Sequence, residues 1–297
     1  MVPELLVIQA ATIDELLSGE FEALPASDAD LCAAEDRLRA WCDAAANGDW
    51  YQFERRLAKD SLNLDEVRAR LARAGIRPGA RLPDWFAAAQ WILDAVARAD
   101  DAPQADWTHR GDDPLPFEDL WHPLVDQAQA DLWRGLQEVE PLLSREAQAD
   151  LARGLAVQLA RLLAPPLFEL FLGSVRTGGT RPYLRFLSDM RAGGWQSLFI
   201  AKPVLLRLTA TIICDWMAST HEFLARLYQD RLMIEELLPD AVQDVQVTRV
   251  TGGLADIHNG GRSVLLLGFA GGGRALYKPR DLGLDARWRE LIDRLNR

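Results

Sequence analysis

With 297 residues, of which 49% are hydrophobic and 26% charged, the chain has enough apolar side chain for one large core or two modest ones. A formal net charge of −11 excludes broad nucleic-acid binding as an expectation, because neutralising phosphates needs a basic face. Cys32, Cys42 and Cys214 are odd in number and form no CxxC pair, and the histidines at 109, 122, 221 and 258 include no HExxH pair. Neither a disulfide framework nor a metal held through histidine is expected.

The opening MVPELLVIQAATIDELL lacks a basic leading segment and carries Glu4 and Asp14, unlike a secretory signal. The most apolar stretch, Pro203 to Cys214, contains Arg207 and runs into Asp215. We therefore expect a cytoplasmic protein with no membrane span.

The first predicted helix begins at Ser27, which stands three residues before Asp30 at capping-box spacing, and runs with Leu31, Leu38 and Trp41 at helical intervals to Asn47 and Gly48. A second starts after Asn63, with Glu66 three residues on, Val67 and Leu71 inward, and Gly75 as its terminator. A third covers Pro83 to Arg98, and the polar run 99–114 reads as a linker or long loop. Helices follow at roughly 117–139, 143–164, 166–173, 182–190, 203–217 and 220–237, with SVRTGGT at Ser174 to Thr180 as a connection. The tryptophans at helical spacing, Trp121 and Trp133 among them, read as core rather than a ligand cage.

From Val245 the pattern changes to β-branched and leucine runs separated by glycine clusters, the mark of strands and turns. Three antiparallel strands between about 245 and 279, then a helix from Asp285 to Asn296, make the chain α+β: a helical body followed by a small sheet. Residues 1–240 and 241–297 are the two expected domains. Residues 245–297 are basic, with nine Lys/Arg against five Asp/Glu, while residues 1–244 hold 24 against 39.

Two chemistries suit this end. Ordinary hairpin turns of a meander explain the glycines. So does phosphate handling, in which glycine turns let backbone N–H groups approach a polyphosphate and a strand lysine, Lys278, adds a fixed charge. No P-loop of the GxxxxGKS or GxxxxGKT kind occurs, and Gly252, Gly253, Gly260 and Gly261 do not fit GxGxxG. The spacing of Lys278 to Glu290 on the following helix permits the ion pair of a kinase small lobe.

GGLADIHNGGRSV at 252–264, then a strand, then ALYKPRDLGLD at 275–285 and a helix ending RLNR, resembles the N-terminal dehydratase region of class II lanthipeptide synthetases. RLRAWCDAAANGDWYQFERRL (Arg37 to Leu57), LPFEDLWHPLVDQA (Leu115 to Ala128) and RPYLRFLSDM with KPVLLRL look like helical segments of that family. Ala255 and Ile257 depart from the common SDPHN reading and leave the polar residues in place.

The resemblance implies a small lobe related to lipid kinases, ATP and Mg²⁺ as cofactors, and a ribosomal precursor peptide as partner. Its Ser and Thr would be phosphorylated and the phosphate eliminated to give dehydroalanine or dehydrobutyrine. Asp256, His258 and Lys278 are the implied catalytic residues. His258 suits proton transfer because histidine titrates near neutrality. Lys278, Asn259, Gly260, Gly261, Arg280 and Glu290 are the implied nucleotide-binding set. No catalytic-loop Asp and Asn, metal-holding Asp or cyclase zinc site is recognisable, so Mg²⁺ ligands are expected outside this chain, in a C-terminal catalytic portion. The isolated chain is expected to be inactive. The alternatives are a non-catalytic module that binds the precursor's leader, or a fragment of a lipid-kinase-like phosphotransferase.

Overall fold

The computed structural model describes residues 4–97, 114–176, 180–237, 246–254 and 256–296. The expected linker at 99–114 lies almost wholly outside them, as do 177–179 of the expected SVRTGGT connection.

The elements run α1 (Glu4–Ala10), α2 (Ile13–Leu16), β1 (Phe21–Ala23), α3 (Asp28–Ala46), α4 (Trp50–Lys59), α5 (Leu64–Ala72), β2 (Ala74–Ile76) and α6 (Asp84–Ala97). They continue with α7 (Glu118–Trp133), α8 (Arg145–Arg176), α9 (Pro182–Asp189), α10 (Trp195–Ala201), α11 (Pro203–Leu237), β3 (Val247–Thr251), β4 (Leu265–Phe269), β5 (Arg274–Tyr277) and α12 (Gly283–Leu295). The expected class holds: mostly helical, with small antiparallel sheets and a C-terminal helix.

Two compact units are present, Met1–Trp91 with Gln196–Leu208, and Ile92–Trp195 with Thr209–Arg297. In the first, α3, α4 and α5 close over Phe21, Leu38, Cys42, Phe53, Leu57, Val67 and Leu71, all buried. Ser27 Oγ accepts from Asp30 N at 3.3 Å while Asp30 Oδ2 accepts from Ser27 N at 2.9 Å, so the capping box forms as the sequence predicts. Asn47 ends α3 in the left-handed region. Asn63 Oδ1 caps α5 by accepting from Glu66 N at 2.8 Å. That helix stops at Ala72, before the expected terminator. Gly75 instead pairs with Glu22 in the two-stranded β1–β2 sheet, which a three-residue run could not announce.

The second unit is built on α8, which packs against α7 and β3. Its Leu151, Leu155, Leu159 and Leu163 are buried with Trp121 and Leu124 of α7 and with Ile213, Trp216 and Phe223 of α11. Two expected breaks are corrected. Helix α8 continues through Pro165 and Pro166, since buried Leu163 and Leu167 on either side hold one axis although each proline removes a donor. Helix α11 is likewise unbroken at 218–219, where Ser219 Oγ donates to Trp216 O and the buried Trp216, Thr220 and Phe223 keep one face inward. By length and composition α8 could cross a membrane; Leu151, Leu155, Leu159 and Leu163 are buried in this core, whereas Phe168, Leu170, Leu172 and Val175 are exposed.

The sheet runs β3-β4-β5, antiparallel throughout, with an irregularity between Val247 and Arg249. One edge is covered by α8 and the turn before it: Ser144 N donates to Val247 O at 2.8 Å, and Val250 N donates to Asp150 Oδ2 at 3.0 Å. A carboxylate thus satisfies an edge-strand N–H and fixes β3 against the helix.

Candidate functional site

The β3–β4 connection carries the cluster that the sequence singles out. His258 and Arg262 exchange both backbone hydrogen bonds at 2.9 Å, so the three residues between them make a tight loop. Asn259, Gly260 and Gly261 stand at φ of 42°, 72° and 81°, consecutive left-handed residues that only Asn and Gly adopt readily. Gly261 is further constrained, because a Cβ there would lie 2.8 Å from the carbonyl oxygen of Asp215 on α11. Its close approach is made to the protein's own helix. Burial against this turn pushes the Asp215 carboxyl up, opposed by the Arg262 guanidinium.

Arg262 ties the loop down. Its Nε donates to Glu222 Oε2 at 2.7 Å and its Nη2 lies 2.6 Å from the same oxygen, while Nη1 donates to the carbonyl of Asn259. Glu222 also pairs with Arg226 one turn along α11, and Arg226 Nη1 donates to Tyr277 Oη at 3.2 Å. Tyr277 stacks edge-on against Phe223 with ring centroids 5.0 Å apart. Burial pushes its hydroxyl up, with Arg226 acting the other way. A polar chain therefore runs from the glycine loop, across α11, to the last residue of β5.

Below the loop lies an open cleft of about 1340 Å³, walled by α8, α11, β3 and the connection itself. Asp256 and His258 both line it, as do Tyr277 and Pro279, the neighbours of Lys278. Lys278 does not. Side chains alternate along β5, with Ala275 and Tyr277 partly covered and Leu276 58% exposed, and Lys278 continues the exposed set. Asn259, Gly260, Arg280 and Glu290 are exposed as well.

The predicted site residues therefore fall into two groups. Asp256, His258 and Gly261 meet at the cleft, whereas Lys278, Arg280 and Glu290 stand on outer surfaces. Among the described residues Lys278 and Glu290 form no ion pair, and Arg280 pairs with Asp285 at 3.1 Å. Glu290 sits on α12, none of whose residues is buried, with Leu284, Trp288, Leu291 and Leu295 on one exposed face. Among the described residues no group of three His, Cys, Asp or Glu converges as a metal site.

What could meet a phosphate is the loop tip, where the N–H groups of Asn259, Gly260 and Gly261 donate to no acceptor among the described residues. The Lys278 ammonium, also without a partner among the described residues, stands apart from this tip on the exposed side of β5. The bracing residues Glu222, Arg226 and Tyr277 were not singled out from sequence. A Glu and Arg four apart on a helix signal only a helical pair until the fold brings a loop to them.

Residues 203–297, which include α11, the three-stranded sheet, α12 and every predicted site residue, match the family model described as Domain of unknown function (DUF4135). That domain is found in lanthipeptide synthetase-like proteins. No curated protein matches the chain.

Proposed function

We propose that the chain is the N-terminal part of a class II lanthipeptide synthetase dehydratase, with 1–240 as its helical region and 241–297 as the start of a kinase-like small lobe. The observation that carries this is the bracing of the Asp256/His258 loop, through Arg262, Glu222, Arg226 and Tyr277, to the strand that leads into Lys278. The tie ends on Tyr277, the residue before Lys278, and so fixes the end of that strand relative to the loop. A site that handles one phosphate twice needs both parts held in register.

In the first step a Ser or Thr hydroxyl oxygen of the peptide bonds to the γ-phosphorus of ATP, the hydroxyl proton departs and ADP leaves. Lys278 offsets charge on the nucleotide phosphates as the transition state loosens. In the second step the Cα proton is removed, the Cβ–O bond breaks and phosphate leaves, forming the Cα=Cβ bond. His258, beside Asp256 on the cleft, is the group to move a proton here.

The test is nucleotide binding by the purified chain, followed by the fluorescence of its tryptophans. We expect weak, saturable binding of Mg²⁺-ATP that Lys278→Met weakens at least tenfold, the order lost when one charge-assisted contact goes. Absence of binding, or binding that the substitution leaves unchanged, would overturn the assignment.

A further inference from the structure

The α8 wall of the cleft presents Asp150, Arg153, Gly154, Val157 and Arg161 at three- and four-residue steps, one continuous helix face. Gly154 is out of place there. Glycine is a poor helix former, this one lies well inside a 32-residue helix, and a Cβ on it would meet no atom within 4 Å. Neither the backbone nor the protein's packing calls for it. The bare backbone it leaves on this face would allow close approach by a ligand.

Two turns further along, Arg161 is exposed and makes no hydrogen bond or ion pair among the described residues. The other arginines of the cleft are engaged: Arg153 lies 3.7 Å from Glu118, Arg249 lies 3.7 Å from Asp150, and Arg262 is held by Glu222. Val157, Trp216, Ile257 and Leu265 supply apolar wall between Gly154 and the loop. Gln158, Ser219, Thr220 and Asp256 also line the cleft, so its wall is mixed, and its one arginine without a partner among the described residues suits an extended chain that carries an anionic group at that end.

We propose that this cleft holds the substrate peptide in extended form, its backbone passing over Gly154 and an anionic side chain, carboxylate or phosphate, meeting Arg161. The choice of a peptide rests on the function proposed above. From Gly154 to Arg161 the helix rises about 10 Å, the reach of about three extended residues. The cleft therefore selects an anion about three positions from the residue that crosses Gly154.

The probes are fluorescein-labelled peptides of about twelve residues, read by anisotropy with the purified chain in the absence of nucleotide. One contains a serine with an aspartate three positions away, the second replaces that aspartate by asparagine, and the third places phosphoserine at that same position. We expect the aspartate and phosphoserine peptides to bind about tenfold more tightly than the asparagine peptide, with Arg161→Ala erasing the difference. Preference for phosphoserine alone identifies the selector as a phosphate site, and preference for both as a general anion site. Gly154→Leu should weaken all three at least tenfold, and Gly154→Ala should raise the unfolding temperature while weakening binding several-fold, because its Cβ stands where the peptide backbone passes.

Arg161→Ala, on an exposed side chain, decides the matter if Gly154→Leu fails to fold. No saturable binding by the wild type, affinities unmoved by Arg161→Ala, or displacement of the peptide by ATP would each overturn the proposal. If peptide binding fails while Lys278-dependent ATP binding persists, the cleft assignment alone falls. The reverse result keeps the peptide cleft and removes the phosphotransfer reading.

Discussion

Arg262 reaches from the end of the glycine loop to Glu222 on α11, with its Nε 2.7 Å and its Nη2 2.6 Å from one carboxylate oxygen. The two residues are 40 apart in sequence, and their contact converts a three-residue turn into a fixed wall of the cleft. Arg262 is 41% exposed, so solvent screens the pair, and its coupling in a double-mutant cycle with Ala should be about 0.5–1 kcal/mol. The larger consequence is local. Amide exchange across 256–262 should quicken in Arg262→Ala while that of α8 stays as in the wild type, and unchanged exchange in the loop would show that the glycines hold it alone.

Gly261 and Gly272 separate backbone conformation from packing. Both have positive φ, 81° and 89°, but a Cβ on Gly261 would meet the Asp215 carbonyl whereas one on Gly272 would meet nothing. Gly272→Ala should cost about 1–2 kcal/mol through conformation alone. Gly261→Ala adds an overpacking cost, for a total of about 2–4 kcal/mol. Urea unfolding should rank them in that order, and equal losses would mean that the loop is not seated on α11.

His122 on α7 predicts a pH dependence. Its ring is 8% exposed, and burial holds its pKa below the usual histidine range, aided by Arg191, while Asp126, Asp119 and Glu118 pull the other way. The unfolded chain therefore takes up this proton first as pH falls. The stability His122 contributes is complete above about pH 6.5, declines below it, and levels off under the native pKa. His122→Gln should flatten the decline below about pH 6.5 relative to wild type, measured by thermal unfolding.

If the proposed function holds, Lys278 and His258 should separate the two chemical steps in a dehydratase that contains this region. Lys278→Met would remove the proposed contact to the nucleotide, so phosphorylation should fall by about 10²-fold and the peptide should remain unmodified. His258→Ala should leave phosphopeptide accumulating, with elimination slowed about 10²- to 10⁴-fold. Peptide mass distinguishes these outcomes, and dehydration at the wild-type rate by both variants would make the loop and strand structural only.

Sequence alone determined what depends on neighbours along the chain. The Ser27 and Asn63 caps form as read, because capping is settled within three residues. The three strands at 247–277 follow from apolar runs and glycine turns, and the α+β class follows from both. Tertiary packing decided the rest. The buried faces around Leu163 and Leu167, and around Trp216 and Phe223, carried α8 and α11 through breaks that local signals implied. Asp256 and His258, two residues apart, could be paired on paper, but that they open onto a cleft beside Gly154 and Arg161, while Lys278 faces outward, needed the fold. Contacts between residues 40 or 100 apart, such as Arg262 with Glu222 or Asp150 with Val250, leave no periodic trace in either partner's surroundings, because only the packed core brings their side chains within reach.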